Sequence, residues 1–544
     1  MARAAIYVRG AFAELQCDTA TEVLEACLTV PHPFPHRIVA YREKRWDGRV
    51  RFHSGTRFPA GLAERVIAHL HETGRDVSVH GLRPKVAHDW SWVGADYLPP
   101  VGKFERMWPH QLEAVQAALN ARRGIIKAPT GSGKTEMIAT LARALFEQFR
   151  WRTLILEPKK GLMHQTVERL QSYYGDELRV GWMGDSERVE GDVVVATGQT
   201  MQGFQPRRMK QRDGRRWVKR MVPPDPLLRS IVMDFEVLIG DEVHRASSTT
   251  WYDIFMSSRA KRRYGFSATP LKSDDLSDTR MIGATGPIIY ECEPSTLIEA
   301  GLAAKPKIAM VMSERVSGDD VSTVAYEAAR EAAIERILKR HPNAPIRRVR
   351  PDAKEVYRHA YRLGIVENEL HNRAVLEAVQ WLVERGRRPL VFCRYKPHWE
   401  RLRELFEGAG FNFDAVWGDS DKGDRDLAKQ SYGRGSTRVV LTSTIWDEGE
   451  DIPNVDAIVL AEGVRSVTNA LQRIGRGMRR DSKDVWVVDF VPTCHPMLLS
   501  HAASRADHYE SEGYEVLLVE EWRKSRDGRN LLPFETWDAL HASA

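Results

Sequence analysis

The segment Ala128-Pro129-Thr130-Gly131-Ser132-Gly133-Lys134-Thr135 constrains this chain more than any other. It lies between a short apolar run, Gly124–Lys127, and a stretch with helical periodicity from Thr135 to Phe149. A strand, a glycine-rich turn and a helix in that order predict a parallel sheet with a phosphate-binding loop at one strand end. Within the loop Pro129, Thr130, Gly131, Ser132, Gly133, the glycines let the backbone fold tightly, so several N–H groups converge on one phosphate. The helix N-terminus adds partial positive charge. Lys134 is placed to reach the β- and γ-phosphates of ATP, and the Thr135 hydroxyl to ligate Mg2+. The first position is Ala128 where the strict pattern has glycine.

The surrounding chain repeats that alternation. Ile125-Ile126, Thr153–Leu156, Val193–Val195 and Val237–Ile239 read as buried strands in one region. Leu390–Phe392, Val439–Leu441, Ala457–Leu460 and Trp486–Val488 do so in a second. Helical stretches such as Asn372–Glu384 and Trp399–Glu407 separate them. Such a pattern predicts an α/β fold with two parallel-sheet lobes, 99–300 and 301–502. A Pro/Gly-bearing linker, Tyr97–Gly102, sets off a small α+β region at 1–98, and a tail runs over 503–544. With 544 residues, 42% hydrophobic and 28% charged, the chain can bury several cores and is not disordered throughout.

An acidic strand end supplies the partner of the phosphate loop. Val237-Leu238-Ile239-Gly240 runs into Asp241-Glu242-Val243-His244. Asp241 can hold Mg2+, and Glu242 can orient and deprotonate an attacking water. Phe266-Ser267-Ala268-Thr269-Pro270 closes another short strand with small hydroxyl residues that can link the metal site to the neighbouring lobe by hydrogen bonds. Either acidic or hydroxyl segment alone would be an ordinary turn, and each is informative because the phosphate loop is present.

The net charge of +6 names no partner, but its distribution is uneven. Between Gln205 and Arg220, within an insertion at 204–226, eight cations (Arg207, Arg208, Lys210, Arg212, Arg215, Arg216, Lys219, Arg220) face the single acid Asp213. That local excess of +7 exceeds the total. Near the N-terminus, Lys44, Arg45 and Trp46 lie in a stretch of interleaved basic and aromatic residues, Tyr41–Phe52. Such surfaces pair with phosphates and stack on bases, although a solvated basic face would carry the same composition. Five dispersed cysteines without a C-x-x-C pair argue against a disulfide framework or structural zinc, and fit a reduced, cytoplasmic setting. Neither a membrane span nor a signal peptide is expected.

The ordered motifs together resemble the superfamily 2 helicases and translocases, with an Asp-Glu-Val-His box of the DExH type. Trp108-Pro109-His110-Gln111 resembles the adenine-sensing segment, with Gln111 as base contact. Leu156–Lys160 and Ala196–Thr200 resemble the nucleic-acid motifs of the first lobe, which implies contacts from Pro158, Lys159, Lys160, Thr197 and Gln199. In the second lobe, Pro389–Arg394 and Leu441–Pro453 are similar to the fourth and fifth motifs. They imply nucleic-acid contacts from Arg394 and Thr442 and nucleotide contacts from Gly449 and Asp451. Gln472-Arg473-Ile474-Gly475-Arg476-Gly477-Met478-Arg479 resembles the sixth, with Gln472 in the catalytic set and Arg476 and Arg479 as arginine fingers. Arg473 is also readable as a surface ion-pair residue rather than a site residue.

A W-D-G followed by F-P-x-G-L, at Trp46–Gly48 and Phe58–Leu62, resembles the accessory domain of phage UvsW-type DNA helicases. The resemblance implies two RecA-like lobes that hydrolyse ATP with Mg2+ between them and step along nucleic acid, 3′ to 5′ on the tracking strand. It further implies forked or branched DNA as partner, in recombination, repair or replication. Recombination or replication proteins are the implied companions, with a monomeric motor in a bacterial cytoplasm or phage-infected cell. A double-stranded DNA translocase without strand separation and a DExH RNA helicase remain as alternatives. His244 and Gln472 both depart from the usual DEAD-box RNA pattern.

Overall fold

The computed structural model describes residues 3–517, except 83–87, 103, 214–215, 272–274, 314–320, 341–348, 444–451, 453–454, 464–469, 471–472 and 475–483. For 37, 207–213, 216–220, 340 and 422 only the backbone is described. The chain divides into two units, Met1–Glu293 and Pro294–Ala544.

The first unit opens with a small α+β domain. Strands β1 (Arg3–Arg9), β2 (Phe12–Gln16), β5 (Arg57–Pro59) and β6 (Asp76–His80) form a sheet in the order β5-β2-β1-β6. Strands β3 (Thr29–Pro31) and β4 (Arg49–Arg51) pair separately. Alternation along β1 buries Ala4, Ile6 and Val8 against the helices Ala20–Leu28 and Ala63–Glu72.

This domain is docked on the α/β part of its own unit. Leu276 and Ile282, from the helix Asp275–Thr285, belong to its hydrophobic cluster. Arg65 Nη1 donates to Thr279 Oγ1 at 3.0 Å. Arg122 donates to the Gly81 carbonyl at 3.2 Å, and Arg123 to that of Gly10. At Gly61 a Cβ would stand 1.9 Å from the Ile282 carbonyl oxygen, so only glycine permits this approach.

The α/β part holds β7 (Arg123–Lys127), β8 (Thr153–Glu157), β9 (Val180–Gly184), β10 (Glu187–Val189) and β11 (Val193–Thr197). It continues through β14 (Val237–Asp241), β15 (Arg262–Ser267) and β16 (Ile288–Glu291). They form one sheet, β10-β9-β11-β8-β14-β15-β7-β16, parallel except for β10. Every residue of β8, β11 and β14 is buried. A sheet covered on both faces needs such unbroken apolar runs, which is why these strands were legible as short hydrophobic blocks. Between β11 and β14 the chain forms an antiparallel ribbon, β12 (Arg207–Asp213) with β13 (Arg216–Val222), as a sheet of its own.

Among the described residues the second unit contains seven parallel strands, β17 (Lys305–Ser313), β18 (Pro389–Phe392), β19 (Phe413–Val416), β20 (Val439–Thr442), β21 (Ala457–Leu460), β22 (Asp484–Pro492) and β23 (Glu515–Leu517). Their order is β19-β20-β18-β21-β22-β17-β23. Its core includes Val375, Leu382, Val391, Leu402, Phe406, Leu441, Val459 and Phe490. The five cysteines are free thiols, and no helix among the described residues is long and apolar enough to cross a membrane.

Candidate nucleotide site and nucleic-acid surfaces

Parallel strands end on one edge, and the register brings the predicted residues of the first unit there together. Thr197 at the end of β11 is paired with Glu157 of β8, Gly240 with Leu156, Asp241 with Phe266, and Ser267 with Lys127. The phosphate loop leaves β7 at that edge. In open α/β sheets, ligands bind outside the carboxyl ends of the strands.

The loop is preset. Gly133 adopts a left-handed backbone with φ +82° and caps the helix Lys134–Phe149. Gln111 is buried, and its Nε2 donates to the Ser132 carbonyl at 2.9 Å. His110 Nε2 lies 2.9 Å from the same oxygen. A Cβ at position 133 would sit 1.9 Å from Gln111 Nε2. Ser132 is fully buried, and among the described residues its Oγ has no hydrogen-bond partner. Lys134 Nζ makes long bonds, 3.3 Å and 3.2 Å, to the carbonyls of Ala128 and Pro129. An orphaned hydroxyl, an extendable ammonium and a helix N-terminus suit a triphosphate.

The acidic strand end faces this loop electrostatically. Burial and the neighbouring Glu242 push the Asp241 carboxyl up to about 6, while Lys134 pulls it back down. Asp241 Oδ1 accepts the Glu242 N–H at 2.9 Å. Glu242 has φ +49°, a costly backbone for a non-glycine residue. Its carboxylate is gripped by His244 Nδ1 at 3.4 Å and by the Ser267 hydroxyl at 3.4 Å, and His244 Nδ1 is 3.3 Å from Ser267 Oγ. From the hydroxyl segment Phe266–Pro270, Ser267 bonds to Glu242 at the acidic strand end of the same unit.

Among the described residues no cluster of three or more His, Cys, Asp or Glu could hold a metal ion. One buried carboxylate, Asp241, with the half-buried Thr135 is the sparse set Mg2+ uses when phosphates and water complete its shell.

Sequence reasoning missed Glu157. It ends β8 fully buried, accepts the Thr166 hydroxyl at 2.7 Å through Oε1, and leaves Oε2 without a hydrogen bond. Burial first, then Asp241, raises its carboxyl well above the ordinary range. The available signal was a charge completing the otherwise apolar run Thr153–Leu156.

The nucleic-acid candidates fall in several places. Pro158, Lys159 and Lys160 follow β8, both lysines exposed, and Lys160 pairs with Asp185 at 2.5 Å. Thr197 is buried and caps the short helix Gly198–Met201 by accepting Thr200 N–H at 3.2 Å, while Gln199 is exposed. In the accessory domain Lys44 and Arg45 are exposed, Arg45 pairs with Glu43, and the Trp46 indole donates to the Arg49 carbonyl at 2.8 Å. Arg207, Arg208 and Arg216 lie on the ribbon strands, and Arg215 lies outside the described residues.

In the second unit Arg394 is exposed just after β18, whereas Thr442 is buried at the end of β20 and gives its carbonyl to Cys393 N–H at 2.9 Å. Arg473 is buried and ion-paired with Glu462, its guanidinium 4.7 Å above the Phe392 ring. Gly449, Asp451, Gln472, Arg476 and Arg479 lie outside the described residues.

Two family models match the chain. "Type III restriction enzyme, res subunit" covers residues 105–272, and "Helicase conserved C-terminal domain" covers 371–481. With the site geometry, these matches support an ATP-hydrolysing helicase with two α/β lobes, and the chain resembles the superfamily 2 helicases.

Among its relatives is UvsW. It is 22% identical over 458 residues to the ATP-dependent DNA helicase uvsW of Enterobacteria phage T4, covering 81% of this chain and 80% of that one. It is 23% identical over 426 residues to the DNA 3′-5′ translocase XPB2 of Sulfurisphaera tokodaii, covering 77% and 88%. The crystal structure of T4 UvsW superposes with a TM-score of 0.43 at 18% identity, covering 95% of this chain and 98% of that chain.

Proposed function

We propose that the chain is an ATP-driven DNA helicase that remodels forked and branched DNA in recombination, repair or replication. One observation carries the motor part of this reading. Lys134, Asp241 and Glu242 share the carboxyl edge of one sheet with the segments Pro158–Lys160 and Thr197–Gln199. Nucleotide chemistry and nucleic-acid grip therefore act on the same rigid element. The DNA part draws on the two relatives, one named a DNA helicase and one a DNA translocase.

In this reading the loop Pro129–Gly133 wraps the phosphates, Lys134 leaves its carbonyl contacts for phosphate oxygens, and Gln111 reads the base. Mg2+, when bound, neutralises developing charge on the phosphates, with Thr135 and Asp241 holding it. Glu242, fixed by His244 and Ser267, aligns the attacking water and takes its proton. Gly449 and Asp451 contact the nucleotide, Gln472 belongs to the catalytic set, and Arg476 and Arg479 offset charge on the transferring phosphoryl group. Arg394, Thr442, Lys44, Arg45, Trp46 and the basic ribbon grip nucleic acid.

ATP turnover measured with forked, duplex and single-stranded DNA, and with RNA, tests this reading. Forks should stimulate most. Equal stimulation by RNA with none by forks would remove the DNA-remodelling assignment. The Sulfurisphaera relative is named a translocase, which keeps one alternative, translocation without strand separation, beside this reading. A chain that clears a triplex strand yet leaves duplex intact would establish it.

A further inference from the structure

We infer that the ribbon β12–β13 is a double-sided cationic blade that inserts between the two phosphate backbones of duplex DNA. This inference deepens the DNA-motor reading and rests on it.

Seven register pairs, from Arg207↔Val222 to Asp213↔Arg216, define the ribbon. At roughly 3.3 Å per residue it extends about 23 Å. Residues directly opposite in an antiparallel pair share a face, so the register sorts the charges. Positions 208, 210 and 212, with partners 221, 219 and 217, place Arg208, Lys210, Arg212 and Lys219 on one face. Positions 207, 209, 211 and 213, with partners 222, 220, 218 and 216, place Arg207, Arg216 and Arg220 on the other, with Asp213. Neither face is an apolar one that a neighbouring layer would cover.

This arrangement works against the ribbon's own stability. Lys210 stands directly opposite Lys219, and like charges in that relationship destabilise a hairpin. A two-stranded ribbon is marginal even without such a penalty. Its stem is held where it joins the lobe. Asp225 N–H donates to the Gly203 carbonyl at 2.8 Å, and Asp225 pairs with Arg188 at 2.6 Å. Gln205 Nε2 donates to Ser257 Oγ at 2.9 Å. The stem starts just after Thr197–Thr200, at the edge assigned to nucleic acid. Cations kept at a cost to the fold need a polyanion to neutralise them.

The distribution over two faces identifies which polyanion. A single strand tracked along one face would leave the other face uncompensated, and single-strand binders rely on rows of aromatics. The ribbon has one aromatic, Trp217. The major groove of B-DNA, about 12 Å wide, admits a two-stranded ribbon and lines both of its sides with phosphates. The deep, narrow major groove of A-form RNA does not admit it.

The test uses the full chain with two Ala sets, R208A/K210A/R212A/K219A and R207A/R216A/R220A. Binding to a blunt DNA duplex, the matching single strand and the matching RNA duplex is titrated over a range of salt. The log–log salt slope on duplex DNA should flatten by about 3.6 for the four-residue set and about 2.7 for the three-residue set. The slope on single strands should stay within about one unit of the original. Single substitutions, Lys210→Ala and Arg207→Ala, give the same reading at about one unit each and serve if a multiple variant fails to fold. Equal flattening on single strands or RNA, dependence on one face alone, or no flattening would overturn the proposal. Failure of the DNA-motor reading is seen separately, as absence of DNA-stimulated ATP turnover in the unaltered chain.

Discussion

Gln111 ties the segment Trp108–Gln111 to Ser132 of the glycine-rich loop. Its Nε2 donates to the carbonyl of Ser132 at 2.9 Å, while its Oε1 accepts the Trp108 N–H at 2.8 Å. The residue assigned to read the base also holds the loop that cradles the phosphates. Gln111→Ala should therefore raise the KM for ATP by about tenfold, roughly 1.4 kcal/mol, with a smaller effect on kcat. A steady-state ATP titration checks this, and an unchanged KM would remove Gln111 from both roles.

Gly133→Ala should do more harm than its single methyl suggests. The new Cβ meets Gln111 Nε2 at 1.9 Å, in a backbone of φ +82° that L side chains rarely adopt. Nucleotide binding should fall by at least about 10²-fold while the fold persists, because the distortion is confined to the loop and its contact with Gln111. Equilibrium binding of a fluorescent ATP analogue, with circular dichroism as control, decides it.

Glu242→Gln should keep nucleotide affinity within a few-fold and reduce hydrolysis by about 10²- to 10⁴-fold, since the amide keeps the shape but cannot take a proton. Single-turnover hydrolysis beside equilibrium binding separates the two. Wild-type turnover in this variant would reassign the base.

Glu157→Gln should be stabilising. The raised folded-state carboxyl means that its contribution is fully present below the ordinary carboxyl value and is lost as pH rises, so at neutral pH the buried acid costs stability. The amide keeps the size, can still accept from Thr166 and removes repulsion toward Asp241. A gain of about 1 to 2 kcal/mol at pH near 8, shrinking toward pH near 4, should appear in urea denaturation. A loss at every pH would show that Glu157 is held as a paired carboxylate.

His371 supplies a pH dependence of opposite sign in the second unit. It is fully buried, with Nδ1 3.0 Å from Ser313 Oγ and Nε2 2.8 Å from the Ala461 carbonyl, and burial pushes it down to about 4. The unfolded chain takes up the proton near 6.5 and the native chain does not, so this contribution is present above 6.5 and lost as pH falls toward 4. Between about pH 7.5 and about pH 5 the loss should be about 2 kcal/mol, and His371→Gln should remove that part of the slope in denaturation curves.

Much of the fold was legible because a parallel sheet covered on both faces demands continuous apolar strands. Thr153–Leu156, Val193–Val195, Val237–Ile239 and Ala457–Leu460 are such runs, and each is a strand. The phosphate loop and acidic box were legible because their chemistry is carried by consecutive residues whose spacing survives in one dimension.

Other relationships have no trace in local sequence. The sequence by itself determined that Lys134 follows a glycine-rich turn, that Asp241 and Glu242 end an apolar run, and that eight cations crowd one insertion. Only the tertiary structure decided that β8 lies beside β14, which sets Glu157 among the site carboxylates. It alone placed Ser267 and His244 around Glu242, buried Arg473 on Glu462, and divided the insertion's charge between two faces of a ribbon. The physical reason is that strand order and register are set by packing among segments far apart in the chain. Hydrophobic periodicity reports that a residue is buried, but not which other residue it is buried against.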